Sequence, residues 1–416
     1  MTKTTNTKSK VGLLIFLTWI VYLTSYLGKV NYSANITQII DFFQVSKAEA
    51  GIVPTFFFFA YGIGQVVNGV LCKKYNVKWI VFVSLLISAS INLIIAITTN
   101  FAIVKWLWLV NGFVLSILWP TLIRLLSESL PQKALGRSSV TMGTTVASGT
   151  VIVYATSSVF AAFNSFKLSF YLAAFSDLII IILWLFLYKK AVSLSVAEKE
   201  GEPEEKKEIY IESTPKFEEK EKKKFQITIG ILCLIAVGVN LIKDGLTTWV
   251  PSILKEEYNF TDSLSILLTL LLPIVAIVGN AFALKMHKKI PDYIMQCMIS
   301  FIFISALILG IIGVLSFKLV IFLLIFLILA SFLSSSLNSL ITSIFPMFMR
   351  GKVNSGLFAG VLNGFCYLGS TISSYGLGYI ADLFGWGMVF WVLLAFCLLI
   401  ILVCFVYKLL CVKLFK

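Results

Sequence analysis

Residues 12–40 read GLLIFLTWIVYLTSYLGKVNYSANITQII, and Lys29 is the one charged residue in the run. About 20 apolar residues cross the ~30 Å hydrocarbon core of a bilayer, so the run is long enough to span. Lys29 sits about 17 residues in, ~25 Å along a helix rising ~1.5 Å per residue. About 14 residues, ~20 Å, separate it from the next loop, too far for its stem to snorkel out. An ammonium at that depth is costly and faces a cavity or a partner. The stretch therefore reads as a transmembrane helix with a functional cation near mid-membrane.

The rest of the chain agrees. Its 416 residues are 59% hydrophobic and 13% charged, with a mean hydropathy of +0.95. No single soluble core hides that much apolar surface. This excludes a soluble enzyme, a nucleic-acid binder and a secreted disulfide scaffold. The net charge of +14 lies in short clusters between apolar runs, as in cytoplasmic loops. Apolar runs lie near 12–40, 50–72, 78–99, 102–128, 139–163, 168–188, 226–254, 264–285, 293–315, 318–346, 353–379 and 387–412. The expectation is an all-α integral membrane protein of about 12 transmembrane helices. The basic start MTKTTNTKSK leads into the first span with no small-residue cleavage site, so that span is expected to be retained. The cysteines form no CxxC pair and read as packing residues.

Residues 189–224 break the pattern. They hold ten acids and ten bases, Pro203 and Pro215, and read as a flexible charged linker. The expected organisation is a six-helix bundle over 1–188, the cytoplasmic linker 189–224, and a second six-helix bundle over 225–416. Alternate loops and the two ends carry Lys3, Lys8, Lys10, Lys73, Lys74, Lys78, Lys133, Arg137, Lys285, Lys288, Lys289, Arg350, Lys352, Lys408, Lys413 and Lys416. The opposite loops carry Asp41, Glu49, Glu256, Glu257, Asp262 and Asp382. The positive-inside bias then places the linker and both termini in the cytoplasm of a cell with this protein in its plasma or inner membrane. The halves also echo each other. SYLGK (25–29) recurs as VNLIK (239–243), and PQKALGRSSV (131–140) as PMFMRGKVNS (346–355). Pseudo-symmetric halves of this kind mark transporters whose site lies at the interface between them.

Four stretches sharpen this: YLGKVNYSANI (26–36), SKAEAGIVPTFFFFAYGIGQVVNG (46–69), WPTLIRLLSESLPQK (119–133) and IKDGLTTWVPSIL (242–254). On these the chain resembles the major facilitator superfamily and, within it, the organophosphate:phosphate antiporters, which exchange sugar or glycerol phosphates for inorganic phosphate. The resemblance implies the major facilitator fold, a single working chain, and basic residues in spans one and seven that hold the substrate phosphate; no cofactor or metal is expected, as the sequence carries no metal-ligand cluster. The matching positions are Lys29 and Lys243. Both are Lys where family members often have Arg. Span five (MGTTVASGTVIVYATSSV, 142–159) has no histidine, which characterised members carry. The loop after span two has Lys73 and Asn76 where the superfamily has Asp and Gly.

Around the clamp, Asn31, Tyr32 and Asn35 are expected on or near the Lys29 face, with Tyr61 and Gln65 on span two and Trp249 on span seven. Arg124 and Glu128, four apart, read as an ion pair at a gate. Gly136, Arg137, Arg350 and Gly351 read as structural loop residues, and His287 in KMHKK as a solvated one. Asp244 adjoins Lys243 but points about 100° away, so it is expected to be a poor direct partner. Asp244 and Asp177 are candidates for proton coupling. The expected function is secondary transport of a phosphorylated small metabolite in exchange for inorganic phosphate. Two bare cations would resist closure of the empty carrier. The alternatives are a proton- or sodium-coupled symporter for an organic anion such as a sugar acid, and a non-transporting sugar-phosphate sensor. A sensor would be expected to carry a large cytoplasmic extension. No HExxH, GxSxG or GxxxxGK[ST] motif suggests an enzyme.

Overall fold

Proline sets where two of the helices break. The computed structural model describes residues 10–71, 74, 76–200, 219–345 and 355–414, and among these there is no strand. The first helix set comprises α1 (Lys10–Ala34), α2 (Ile36–Phe43), α3 (Lys47–Leu71), α4 (Val77–Ile97), α5 (Phe101–Ser116), α6 (Leu118–Ser129), α7 (Gln132–Gly143), α8 (Thr145–Ala162) and α9 (Lys167–Glu200). The second comprises α10 (Glu219–Tyr258), α11 (Asp262–Thr269), α12 (Leu271–Lys289), α13 (Tyr293–Phe317), α14 (Val320–Ser339) with a π turn at Leu340–Ile344, and α15 (Ser355–Leu414). A proline lacks the N–H that would bond the carbonyl four residues back. Pro120 is four residues after Ser116, where α5 ends, and Pro273 four after Thr269, where α11 ends. Each pair, α5 with α6 and α11 with α12, is one broken span.

Eleven helices among the described residues are long and apolar enough to cross a membrane. The last of them, Gly360–Leu410, has 51 residues, or ~75 Å at ~1.5 Å per residue, too long for one crossing. Gly385, at φ 75° and ψ 174°, breaks α15 there into two spans. That φ is open to glycine and strained for other residues. The fold is therefore the expected all-α membrane architecture with twelve crossings among the described residues.

The charged segment differs from expectation at both ends. Residues 189–200 continue α9, and α10 already begins at Glu219. Ala191 and Ser195, one turn apart, are fully buried, and the Lys199 ammonium donates to the Glu128 carbonyl at 2.6 Å. This part of the segment has a packed face because small side chains recur at i, i+4 among the charges. Residues 201–218 lie outside the described residues. So do Cys72, Lys73 and Tyr75 of the loop before α4, and Arg350 and Gly351. Asn76 caps α4, its Oδ1 accepting from Lys78 N at 3.1 Å.

The two sets meet along α3 and the first arm of α15, which run antiparallel. The Thr55 hydroxyl donates to the Thr371 carbonyl at 3.1 Å, and Asn363 Nδ2 donates to Gln65 Oε1 at 3.2 Å. At the end of the bundle that carries α2, Lys47 pairs with Glu256 at 3.1 Å and Asp382 at 3.6 Å, while Lys255 bridges Asp41 and Asp262. A Cβ added to Gly51 would lie 2.2 Å from the Ser374 carbonyl oxygen, so this approach needs glycine. Gly51→Ala should push α3 and α15 apart at a cost of about 1–3 kcal/mol. A thermal melt of the purified protein measures this, with Gly136→Ala, which meets nothing within 4 Å, as the control that should melt no lower than wild type.

Candidate functional site

Lys29 on α1 is half-buried in a box of aromatic rings. Its Nζ lies 3.9 Å from the Tyr61 ring centroid, 4.8 Å from Tyr26, 5.3 Å from Tyr367 and 5.8 Å from Phe57. It also donates to Tyr367 Oη at 3.5 Å. Tyr26 is on α1, Phe57 and Tyr61 on α3, and Tyr367 on α15, so both helix sets build the box. The negative faces of the rings offset part of what a desolvated ammonium loses. Tyr22 extends the cluster, its hydroxyl 3.3 Å from that of Tyr61.

Lys243 on α10 is held differently. Its Nζ lies 3.1 Å from Asp244 Oδ1 and donates to Asn240 Oδ1 at 3.1 Å. Asn240 Nδ2 in turn donates to Asn338 Oδ1 on α14 at 3.0 Å. The Ser370 hydroxyl of α15 donates to Asp244 Oδ2. The expectation that Asp244 makes a poor partner is thus overturned: a four-carbon stem is long enough to bend around the ~100° between neighbouring residues. Tyr367, which meets Lys29, and Ser370, which meets Asp244, are one turn apart on α15, so the three charged side chains share one region between the sets.

Asn31, Tyr32 and Asn35 do not join this box. Asn31 lies about 200° around α1 from Lys29, Asn35 follows the end of α1, and Tyr32, only about 60° from Lys29, turns to α3 instead. Asn31 Nδ2 donates to Asn92 Oδ1 at 2.9 Å, and Asn35 Nδ2 to Ser157 Oγ at 3.0 Å, inside the first set. Tyr32 is fully buried and donates to the Ala50 carbonyl at 3.0 Å. Ala50 is four residues before Pro54, so Tyr32 satisfies a carbonyl that proline left free. Tyr154 on α8 does the same across the sets, donating at 2.6 Å to the Thr247 carbonyl, four residues before Pro251.

Trp249 also leaves the expected face. It is six residues from Lys243, about 240° around the helix. It is buried between Gly51 and Gly378 and packs on Trp386, with ring centroids 5.8 Å apart. Tyr61 stays in the box, and Gln65, one turn further along α3 and beside it, accepts from Asn363. Arg124 and Glu128 pair at 3.6 Å on α6 with Glu128 mostly exposed. Asp177 is fully buried on α9; among the described residues its oxygens make no hydrogen bond of ordinary geometry, and Ser88 on α4 faces it. Ser88 packs beside Gly28, about 100° around α1 from Lys29. His287 is not solvated. It is buried in the last turn of α12, its ring stacked on Tyr293 at 4.5 Å, because α13 folds back over it.

Sequence reasoning missed Tyr26, Phe57, Tyr367, Asn240, Asn338 and Ser370. Tyr22, Tyr26 and Lys29 stand at i, i+4, i+7, a one-face spacing that flags the first of them. The others come from different helices, and their proximity is tertiary. Tyr32→Phe should cost about 1–2 kcal/mol by orphaning the Ala50 carbonyl. Paired thermal-melt and anion-binding measurements on this variant should show lower stability with unchanged affinity.

The comparisons with known proteins follow the same lines. The family model described as Major Facilitator Superfamily matches residues 18–359. The structure is similar to that of a bacterial homolog of the human lysosomal transporter Spinster in an inward-facing, occupied conformation. The TM-score is 0.74 at 13% identity, over 97% of this chain and 98% of that one. It is also similar to a point mutant of the nucleoside transporter NupG, with TM-score 0.70 at 14% identity over 97% and 100%. Among curated proteins, the membrane sensor protein UhpC of Escherichia coli is 23% identical over 95 residues, 23% of this chain and 22% of that protein. A probable hexose phosphate transport protein of Chlamydia pneumoniae is 24% identical over 110 residues, 26% and 24% of the two chains. The matched stretches thus span less than a quarter of these curated relatives. The family model, by contrast, covers most of the sequence, and the chain belongs to the Major Facilitator Superfamily.

Proposed function

We propose that this protein is a secondary transporter of a phosphorylated small metabolite, a sugar or glycerol phosphate, exchanged for inorganic phosphate by alternating access. The observation that carries the reading is the pair Lys29 and Lys243. They stand on α1 and α10, at corresponding places in the two helix sets, and are close enough to interact across them. A phosphate between them draws the sets together, and lysine binds phosphate as a point charge. The tyrosine hydroxyls around Lys29 suit the hydroxyl groups of a sugar or glycerol moiety. The likeness to a protein named as a hexose phosphate transporter supports the same substrate class. Alternating access follows from the family. The Lys and Arg bias of the loops supports an orientation with both termini and the linker in the cytoplasm and the α2 end outside. Arg124 and Glu128 then lie near the cytoplasmic end, where an ion pair suits a gate.

A second reading, a sensor that binds sugar phosphate without moving it, draws on the likeness to UhpC, itself named a membrane sensor. Flux separates the two. Purified protein in phosphate-loaded proteoliposomes should take up radiolabelled phosphate, and sugar phosphates should compete. Lys29→Ala and Lys243→Ala should each reduce uptake about 10- to 100-fold, the loss expected for a charged hydrogen bond. Binding of sugar phosphate without flux would favour the sensor. Flux of sugar acids under an imposed proton or sodium gradient, with none of phosphate, would favour an organic anion symporter using Asp244 or Asp177.

A further inference from the structure

Asp244 stands in the phosphate clamp as a carboxylate, which an anion site would ordinarily exclude. Its side chain and that of Lys243 keep 20% and 25% of their exposure, so neither is sealed within the helix packing. Asp244 Oδ1 faces Lys243 at 3.1 Å and Oδ2 accepts from Ser370. Asn240, itself tied to Asn338, steadies the lysine from its other side. Lys243 is therefore not a bare cation when the site is empty. Asp244 adds one formal negative charge to the two formal positive charges that the lysines alone would present.

On the reading that Lys29 and Lys243 hold a phosphate, we propose that Asp244 is the specificity-determining residue. It selects oxyanions that carry a hydroxyl beside the charge and rejects fully ionised ones. The reason is the inventory of donors. An anion that reaches Lys243 comes against a tethered carboxylate one residue away, which cannot leave. A carboxylate has only lone pairs to offer and repels an oxyanion that also has only lone pairs. Dihydrogen and monohydrogen phosphate each carry a P–OH that donates to Asp244, turning the repulsion into a hydrogen bond. A phosphate monoester does so through its singly protonated phosphate or a neighbouring sugar hydroxyl. Sulfate at neutral pH has no such proton. Sites built to accept a hydrogen bond from a ligand hydroxyl discriminate strongly against analogues lacking it.

The test is equilibrium binding of inorganic phosphate and of sulfate to the purified full-length protein, with wild type beside Asp244→Asn and Asp244→Ser. Wild type should prefer phosphate over sulfate by at least about tenfold, and both variants should bring the ratio close to one, chiefly by tighter sulfate binding. Both variants remove the charge at a partly exposed position, so either one, once shown to be folded by its melting curve, reads the effect. Wild type that prefers phosphate, with the same preference in a folded variant, overturns the role of Asp244 and leaves the transport reading standing. Wild type that binds neither anion overturns both.

Discussion

Every backbone carbonyl in hydrocarbon needs a donor, and prolines inside spans take donors away. Much of this architecture is a response to that constraint. Pro120 and Pro273 end helices outright at Ser116 and Thr269. Pro54 and Pro251 leave their helices continuous, and a tyrosine supplies the missing donor in each case: Tyr32 to Ala50, and Tyr154 to Thr247. The first of these bonds holds the start of α3 against α1. The second crosses between the helix sets, so the same need that keeps α10 intact also helps hold the sets together near the α2 end.

The two lysines show how like positions acquire unlike chemistry. Lys29 lies among ring faces and a tyrosine hydroxyl. Lys243 lies among a carboxylate and an amide, themselves held by Ser370 and Asn338. The lysines repeat between the sets, whereas their surroundings do not. A site made this way is a charge pair with one soft, quadrupolar side and one hydrogen-bonding side. Such asymmetry suits a ligand with two different ends. It also alters the charge balance that two bare lysines would have imposed, because Lys243 carries its own counter-ion.

Some of the site was legible in the linear pattern and some was not. Lys29 and Lys243 stood out because a charge deep in an apolar run has few explanations. Tyr61 was within reach as well. Asn31 and Trp249 point away from their lysines for a geometric reason, since offsets of two and six residues turn a side chain by about 160° and 120° from the reference position, and Asn35 lies past the end of α1. Asp244 failed in the other direction, since angular separation along the helix matters little to a side chain as long as lysine's. Tyr367 carried no local signal at all, and its place against Lys29 exists because α15 lies antiparallel to α3.

The sequence by itself determined the solvent, the number of crossings and the two lysines inside apolar runs, because these depend on length, hydropathy and charge along one axis. The tertiary structure alone decided the surroundings of those cations: the aromatic box around Lys29, the Asp244–Ser370 tether beside Lys243 and the tyrosine donors to proline-freed carbonyls. Those contacts join residues on separate helices, and helix rotation and crossing register, which no single run of residues encodes, set which of them meet.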